Sequence, residues 1–331
     1  MKTIQLDGTW KLFGFPQGSM KAGSPEELET LGLTPIPAQV PGNVELDLVV
    51  AGQLADPYTG DRILSLQPLE RHEWWYVTEF ATPAFHGDVE LVFHGSDCIA
   101  TYWLNGERIG SSDNAFIEHR FEISGRLRSM DSNAANTLVV RLESAVLAAM
   151  EYPYAPSMYA LAHNWEQLWL RKPAHGFSWD IMPRAVSAGL WRSVELVVHE
   201  RNEVEDVYLF TQEASESSAR IGVYYTLRVE PEKLADLKIR VVGRCGDSVF
   251  ERTDRAKFVA NMLDISVRKP KLWWPRGYGA AHLYEVTVQL LLDGQVLSER
   301  SATLGIRKVE LVRSEITSAE HPGQFLFSSP I

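Results

Sequence analysis

"TYWLNGERIG", residues 101 to 110, sets two strand-like arms around the pair Asn105-Gly106. Both central positions of a two-residue type I′ turn need a positive φ, which Asn and Gly tolerate better than other residues. The stretch therefore predicts a β-hairpin, and the sequence on either side of it agrees. In "DVELVF" Val89, Leu91 and Phe93 share one face; in "NTLVVRL" Leu138, Val140 and Leu142 do so; in "SVELVV" Val194, Leu196 and Val198 repeat the pattern. A period of two is the mark of a half-buried strand, so the first 200 residues read as a β-sandwich.

Two short helices interrupt this framework. "SPEELETLGL" offers Ser24 as N-cap, Pro25 at the first helical position and acids in the first turn. "NVELDLVVAGQL" offers Asn43 as cap, Val44 and Leu48 on one face, and Gly52 as a stop. After "RNEVEDV" (201 to 207) the alternation restarts: Val223, Tyr225, Leu227 and Val229 line up in "VYYTLRV". "DLKIRVV" and "LYEVTVQL" continue it, and Asp293-Gly294 supplies another hairpin turn. Some seven short strands in about 110 residues suit an immunoglobulin-like sandwich, with a boundary near residue 200.

Composition narrows the function. A net charge of -11, without any Lys/Arg block, opposes a nucleic acid or an anionic membrane and leaves a neutral ligand as the better fit. The 10 Trp, 11 Tyr and 13 Phe can fill sandwich cores or lie against the C–H faces of sugars. Cys98 and Cys245 are far apart and form neither a disulfide framework nor a zinc motif. The opening "MKTIQLDGTWKLFG" has no signal-peptide core, no stretch reads as membrane-spanning, and there is no N-x-S/T acceptor, so the reading favours the cytoplasm. Nucleophile-elbow, phosphate-loop and His-x-x-x-His patterns are absent, and nothing asks for a cofactor or a metal.

Eight stretches carry a family resemblance. They are "LDGTWKL" (6 to 12), "VPGNVELDL" (40 to 48), "DPYTGD" (56 to 61), "EWWYVTEF" (73 to 80), "ATYWLNGERIGSSDNAF" (100 to 116), "RKPAHGFSWDIMPR" (171 to 184), "GLWRSVEL" (189 to 196) and "KLWWPRGYG" (271 to 279). In this order the chain resembles the N-terminal half of a glycoside hydrolase family 2 enzyme, closest to the β-mannosidase branch. The resemblance implies an all-β chain: a jelly-roll, galactose-binding-like sandwich over 1–200, then an immunoglobulin-like sandwich over 201–312. Residues 313–331, ending in "GQFLFSSPI", then resemble the segment leading into a (β/α)8 barrel that the chain lacks.

Retaining glycosidases need two carboxyl groups about 5 to 5.5 Å apart on a rigid scaffold, and the family keeps both on that barrel. The resemblance thus implies no catalytic residue in this chain, which alone is expected to be inactive. Its partners would be a β-linked glycoside and, within the longer molecule, the missing barrel. Asn202-Glu203 imitates the family's Asn-Glu signature, but it falls between the sandwiches, where chance explains it. Asp61, Glu70 and Glu73 read as solvated loop acids.

The family's sandwich sends a Trp-Asp pair to the non-reducing-end sugar, which implies Trp179 and Asp180 in "FSWDIMPR" (177 to 184) as substrate-binding residues. A regular strand would turn these neighbours to opposite faces, so a loop or bulge is expected. Ile181 and Met182 depart from the family's continuation, which has Trp and Gly there. The aromatic stretch 151–173 leads into the motif, and Tyr154, Trp165, Trp169 and Arg184 are candidates to line the approach, Arg184 reading better as structural than as substrate-touching. Trp74, Trp75, Trp273 and Trp274 read as structural. A stand-alone carbohydrate-binding module, or the same portion of a β-galactosidase, β-glucuronidase or exo-β-glucosaminidase, stays open beside the mannosidase reading.

Overall fold

The computed structural model describes residues 2–132, 134–153, 164–313, 318–320, 323 and 325–328. The chain divides into two units, Lys2–His199 and the residues from Glu200 onward. Strands are the main regular structure of both, every paired strand is antiparallel and the helices are few and short, so the all-β expectation holds.

In the first unit the Asn105-Gly106 turn is formed, with φ of 54° and 85°, and joins Ile99–Leu104 to Glu107–Ser112. That hairpin is one edge of a six-stranded sheet, which runs Ile36–Val40, Gly8–Pro16, His72–Phe80, Asn136–Glu143, Ile99–Leu104, Glu107–Ser112. Opposite lies a four-stranded sheet of Lys2–Gln5, Val194–Val198, Val89–Phe93 and His119–Glu122. Between them pack the residues picked out by alternation: Val89, Leu91, Phe93, Leu138, Val140, Leu142, Val194, Leu196 and Val198.

Alternation predicted one buried face, but the middle of the six-stranded sheet is buried on both, while its edge strands keep exposed outer residues. Trp74 and Tyr76 of its central strand His72–Phe80 point into the main core, while Trp75 joins Trp103, Val139 and Phe15 in a second cluster on the outer face. The rings of Trp75 and Trp103 stack at 5.4 Å, and Trp75 Nε1 donates to Glu73 Oε1 at 3.0 Å. Helix α1 (Pro25–Thr30), capped by Ser24 Oγ accepting from the Glu27 amide, lays Leu28 on this cluster. Helix α2 (Val44–Val50) is capped by Asn43 and inserts Val44 and Leu48 into the main core. A third helix, α3 (Ala145–Met150), capped by Ser144, was not foreseen.

The second unit pairs a three-stranded sheet (Glu203–Ala214, Ser218–Arg228, Ala260–Arg268) with a four-stranded one (Ser248–Arg255, Leu237–Cys245, Tyr284–Leu292, Gln295–Leu304). Asp293-Gly294 makes the second hairpin turn, with φ of 50° and 83°. Val223, Tyr225 and Leu227 face its core with Ile239, Val241 and Val286. Trp273 and Trp274 are occupied by Arg307, whose guanidinium lies 5.7 and 5.6 Å from their rings. Among the described residues no helix is long and apolar enough to cross a membrane.

Because Trp75 is fully buried in the smaller cluster, Trp75→Ala is expected to destabilise the chain by about 3–5 kcal/mol. Urea denaturation followed by far-UV circular dichroism reads this directly; an unchanged midpoint would mean that the outer cluster contributes nothing.

Candidate functional site

Residues 164–187 precede the short strand Gly189–Leu190 and carry the motif singled out above. Two 3₁₀ turns, Trp165–Leu168 and Ala174–Phe177, give this strap its shape. The second buries Phe177 completely against Val146 of α3 and Val186, which seats the strap on the sandwich. Ser178 then reverses the chain at φ 87° and ψ 147°, a conformation that costs a non-glycine residue about 1–3 kcal/mol and persists only where neighbours over-determine it. They do so here. Asn164 Nδ2 donates to the Ser178 carbonyl at 3.2 Å, and Ser178 Oγ donates to the Met182 carbonyl at 3.2 Å.

Beyond Ser178 the backbones of Trp179 and Met182 exchange hydrogen bonds of 3.1 and 3.2 Å, closing a tight turn with Asp180 and Ile181 at its tip. Trp179 is 60% exposed, Ile181 is 84% exposed, and Asp180 is exposed beside them. An exposed indole and an exposed carboxylate side by side on one hydrogen-bonded turn suit a neutral polyol. The carboxylate can accept from adjacent hydroxyls, and the ring supplies an apolar wall with one N–H donor.

Arg184 lies just past the turn and is gripped from two sides. Its Nε is 2.9 and 3.1 Å from the Glu70 carboxylate oxygens, and Nη2 is 2.8 Å from Glu70 Oε2 and 3.0 Å from Glu166 Oε1. The guanidinium also lies 5.5 Å over the Phe177 ring. Burial works against its charge, but the hydrogen bonds from Glu70 and Glu166 outweigh burial and hold Arg184 above the ordinary arginine value. Further along, the buried Lys172 ammonium pairs with the Asp97 carboxylate and donates to the Ser187 carbonyl at 2.5 Å. Ser187 Oγ in turn donates to Glu45 Oε2 at 2.8 Å.

Residues 20–192 match the family model described as the glycosyl hydrolase 2 galactose-binding domain-like domain, and residues 202–307 match the one described as glycosyl hydrolases family 2. The chain belongs to glycoside hydrolase family 2.

Among its relatives is Beta-mannosidase B of Aspergillus clavatus, 30% identical over 289 residues that make up 84% of this chain and 33% of that protein. Beta-mannosidase B of Thermothelomyces thermophilus is 30% identical over 302 residues, 88% of this chain and 34% of that protein. This family 2 chain thus spans about a third of the length of those relatives. Among solved structures, a beta-D-mannosidase from Dictyoglomus thermophilum superposes with a TM-score of 0.78 at 28% identity, covering 99% of this chain and 39% of that one. A beta-glucuronidase from Bifidobacterium dentium, at 21% identity and a TM-score of 0.64 over 98% of this chain and 50% of that one, shares the fold.

In this family 2 chain the candidate residues do not all lie together in one role. Trp179 and Asp180 are exposed on the turn, whereas Arg184 is turned inward to its two carboxylates. Trp165 is half-buried in the first 3₁₀ turn. Trp169 stacks on Tyr152 with centroids 5.0 Å apart and planes 6° from parallel. Tyr154 lies outside the described residues. Glu203 is 0% exposed and accepts from the Glu200 amide.

The reading of Glu70 and Glu73 as solvated loop acids is corrected. Glu70 is buried against Arg184, and Glu73 is buried beneath the Trp75 indole; only Asp61 is exposed as expected. Sequence reading also missed Glu45, Asp97, Glu166 and Lys172. Glu70 is 114 positions from Arg184, and no spacing rule links side chains that far apart.

Burial pushes the Glu45 carboxyl from its ordinary 4.5 up to about 7, against the opposing pull of its backbone hydrogen bond, the Ser187 hydroxyl and the Lys172 ammonium; Asp97 adds to the rise. Between those values the folded chain keeps a proton that the unfolded chain has released. Its stabilising contribution is therefore complete below about pH 4.5 and is lost as pH rises through about 7. Comparing urea stabilities at pH 5 and pH 8, the wild type is expected to lose up to about 3 kcal/mol more than Glu45→Gln. Parallel pH profiles for the two proteins would exclude a raised Glu45.

Proposed function

We propose that this chain is the non-catalytic, substrate-positioning portion of a retaining, exo-acting β-mannosidase. Residues 1–200 form its sugar-facing sandwich and 201–312 its immunoglobulin-like one. The observation that carries the reading is the hydrogen-bonded turn on which Trp179 and Asp180 are adjacent and both exposed. Support for a β-mannoside comes from the printed names of the relatives and of the Dictyoglomus thermophilum structure. In this role Asp180 accepts hydrogen bonds from hydroxyls of the terminal sugar and Trp179 walls one side of it. Both position the ring for attack by carboxylates supplied elsewhere in the longer molecule.

Each charge-assisted hydrogen bond of this kind is worth about 1.5–3 kcal/mol. In the longest natural form of the protein, Asp180→Ala is therefore expected to lower kcat/KM for an aryl β-mannoside by about 100-fold or more. Aryl galactoside, glucuronide and glucosaminide are expected to be poorer substrates of the unsubstituted protein. Full activity of Asp180→Ala would remove the turn from the sugar site. The 331-residue chain by itself is expected to release no aryl alcohol; turnover that disappears in Glu203→Gln would place the chemistry in this chain after all.

A further inference from the structure

We propose that Arg184 is a positioning residue for the Trp179–Asp180 turn, acting through a two-carboxylate clasp with Glu70 and Glu166. The inference deepens the proposed function and rests on it wherever it concerns the sugar.

The clasp joins three separate parts of the fold. Glu166 belongs to the 3₁₀ turn at the start of the strap, Arg184 lies near its end, and Glu70 sits at the foot of the central strand His72–Phe80. One guanidinium thus ties both ends of the strap to each other and to the 3₁₀ stretch that leads into the central strand. The anchor itself is fixed, because the Glu70 carbonyl accepts from Ser144 Oγ at 2.5 Å and Ser144 caps α3.

Side-chain exposures of 15% for Arg184, 8% for Glu70 and 10% for Glu166 set these contacts apart from an exposed ion pair. Arg184 has its Nε and Nη2 committed to carboxylates and its plane against Phe177, so its donors serve the strap and not a ligand. Arginine's planar fork meets two carboxylates at once, which the single ammonium of lysine does less well. Removing the guanidinium leaves two buried carboxylates facing one gap, where their repulsion pushes the strap away from the sheet. The turn, by contrast, has little packing of its own, since Ile181 and Trp179 are mostly exposed.

Amide hydrogen exchange in the 331-residue chain tests the hold on the turn. The amides of Trp179, Met182 and Ala185, each bonded within the strap, are expected to exchange at least about tenfold faster in Arg184→Gln. Those of Val140 and Leu196 in the sheets are expected to keep their rates, and Arg184→Lys is expected to recover part of the protection. Unchanged strap amides, or equal acceleration throughout the sandwich, would overturn the proposal. The sugar side is read in the longest natural form with an aryl β-mannoside. Arg184→Gln is expected to lower kcat/KM at least about tenfold, and adding it to Asp180→Ala is expected to cost little more, because both act through one turn. Additive losses would overturn the positioning role. Loosened strap amides together with full activity in Asp180→Ala would instead refute the sugar contact, while leaving the hold of the clasp on the turn established.

Discussion

The central strand of the first unit's six-stranded sheet is buried on both faces around Trp75, and much of what surrounds it follows from that constraint. The strand alternates Trp74 and Tyr76 toward one core with Trp75 toward another, so apolar surface must be covered on both sides. The four-stranded sheet covers one side. The other is closed by α1 through Leu28, with the stacked Trp75 and Trp103 filling the space beneath. Helix α2 closes the main core at its margin, and α3 provides the apolar seat on which Phe177 settles.

The strap carrying the exposed turn obeys different physics. Its seat is apolar, at Phe177, but its ends are tied by charge through Arg184 to Glu70 and Glu166, and its middle through Lys172 to Asp97. Buried ions are costly unless paired and hydrogen-bonded, so a segment held this way has few alternative positions that leave every charge satisfied. Ser178, kept at a positive φ by Asn164 and by its own hydroxyl, shows the same over-determination at the single residue that aims the turn.

Much of the fold was legible because its signals are local. Asn105-Gly106 and Asp293-Gly294 specify their turns through the φ values only such residues adopt readily, and Ser24 and Asn43 name the helix starts they cap. The strands between them announce their inner face by alternation. The outer cluster was not legible, since Trp75 and Val139 also fit a partly exposed face and only the placement of α1 buries them. Of the site, Trp179 and Asp180 could be named through the family motif. The partners of Arg184 could not, because one lies 114 positions away and the other belongs to a separate turn. Glu70 read as a solvated acid for the same reason: burial of a charge is decided by a distant counter-ion.

The Ser24 and Asn43 caps serve secondary structure, whereas the clasp around Arg184 serves placement, and the two respond differently to heat. Apolar packing becomes less effective on cooling and gains little per unit area at high temperature. The penalty for keeping ions out of water falls as temperature rises, so a desolvated guanidinium between two carboxylates tightens relative to its surroundings. Phe177 and Arg184 therefore both hold the strap less firmly in the cold, and on heating it is the hold of Arg184 that keeps strengthening once apolar packing has levelled off.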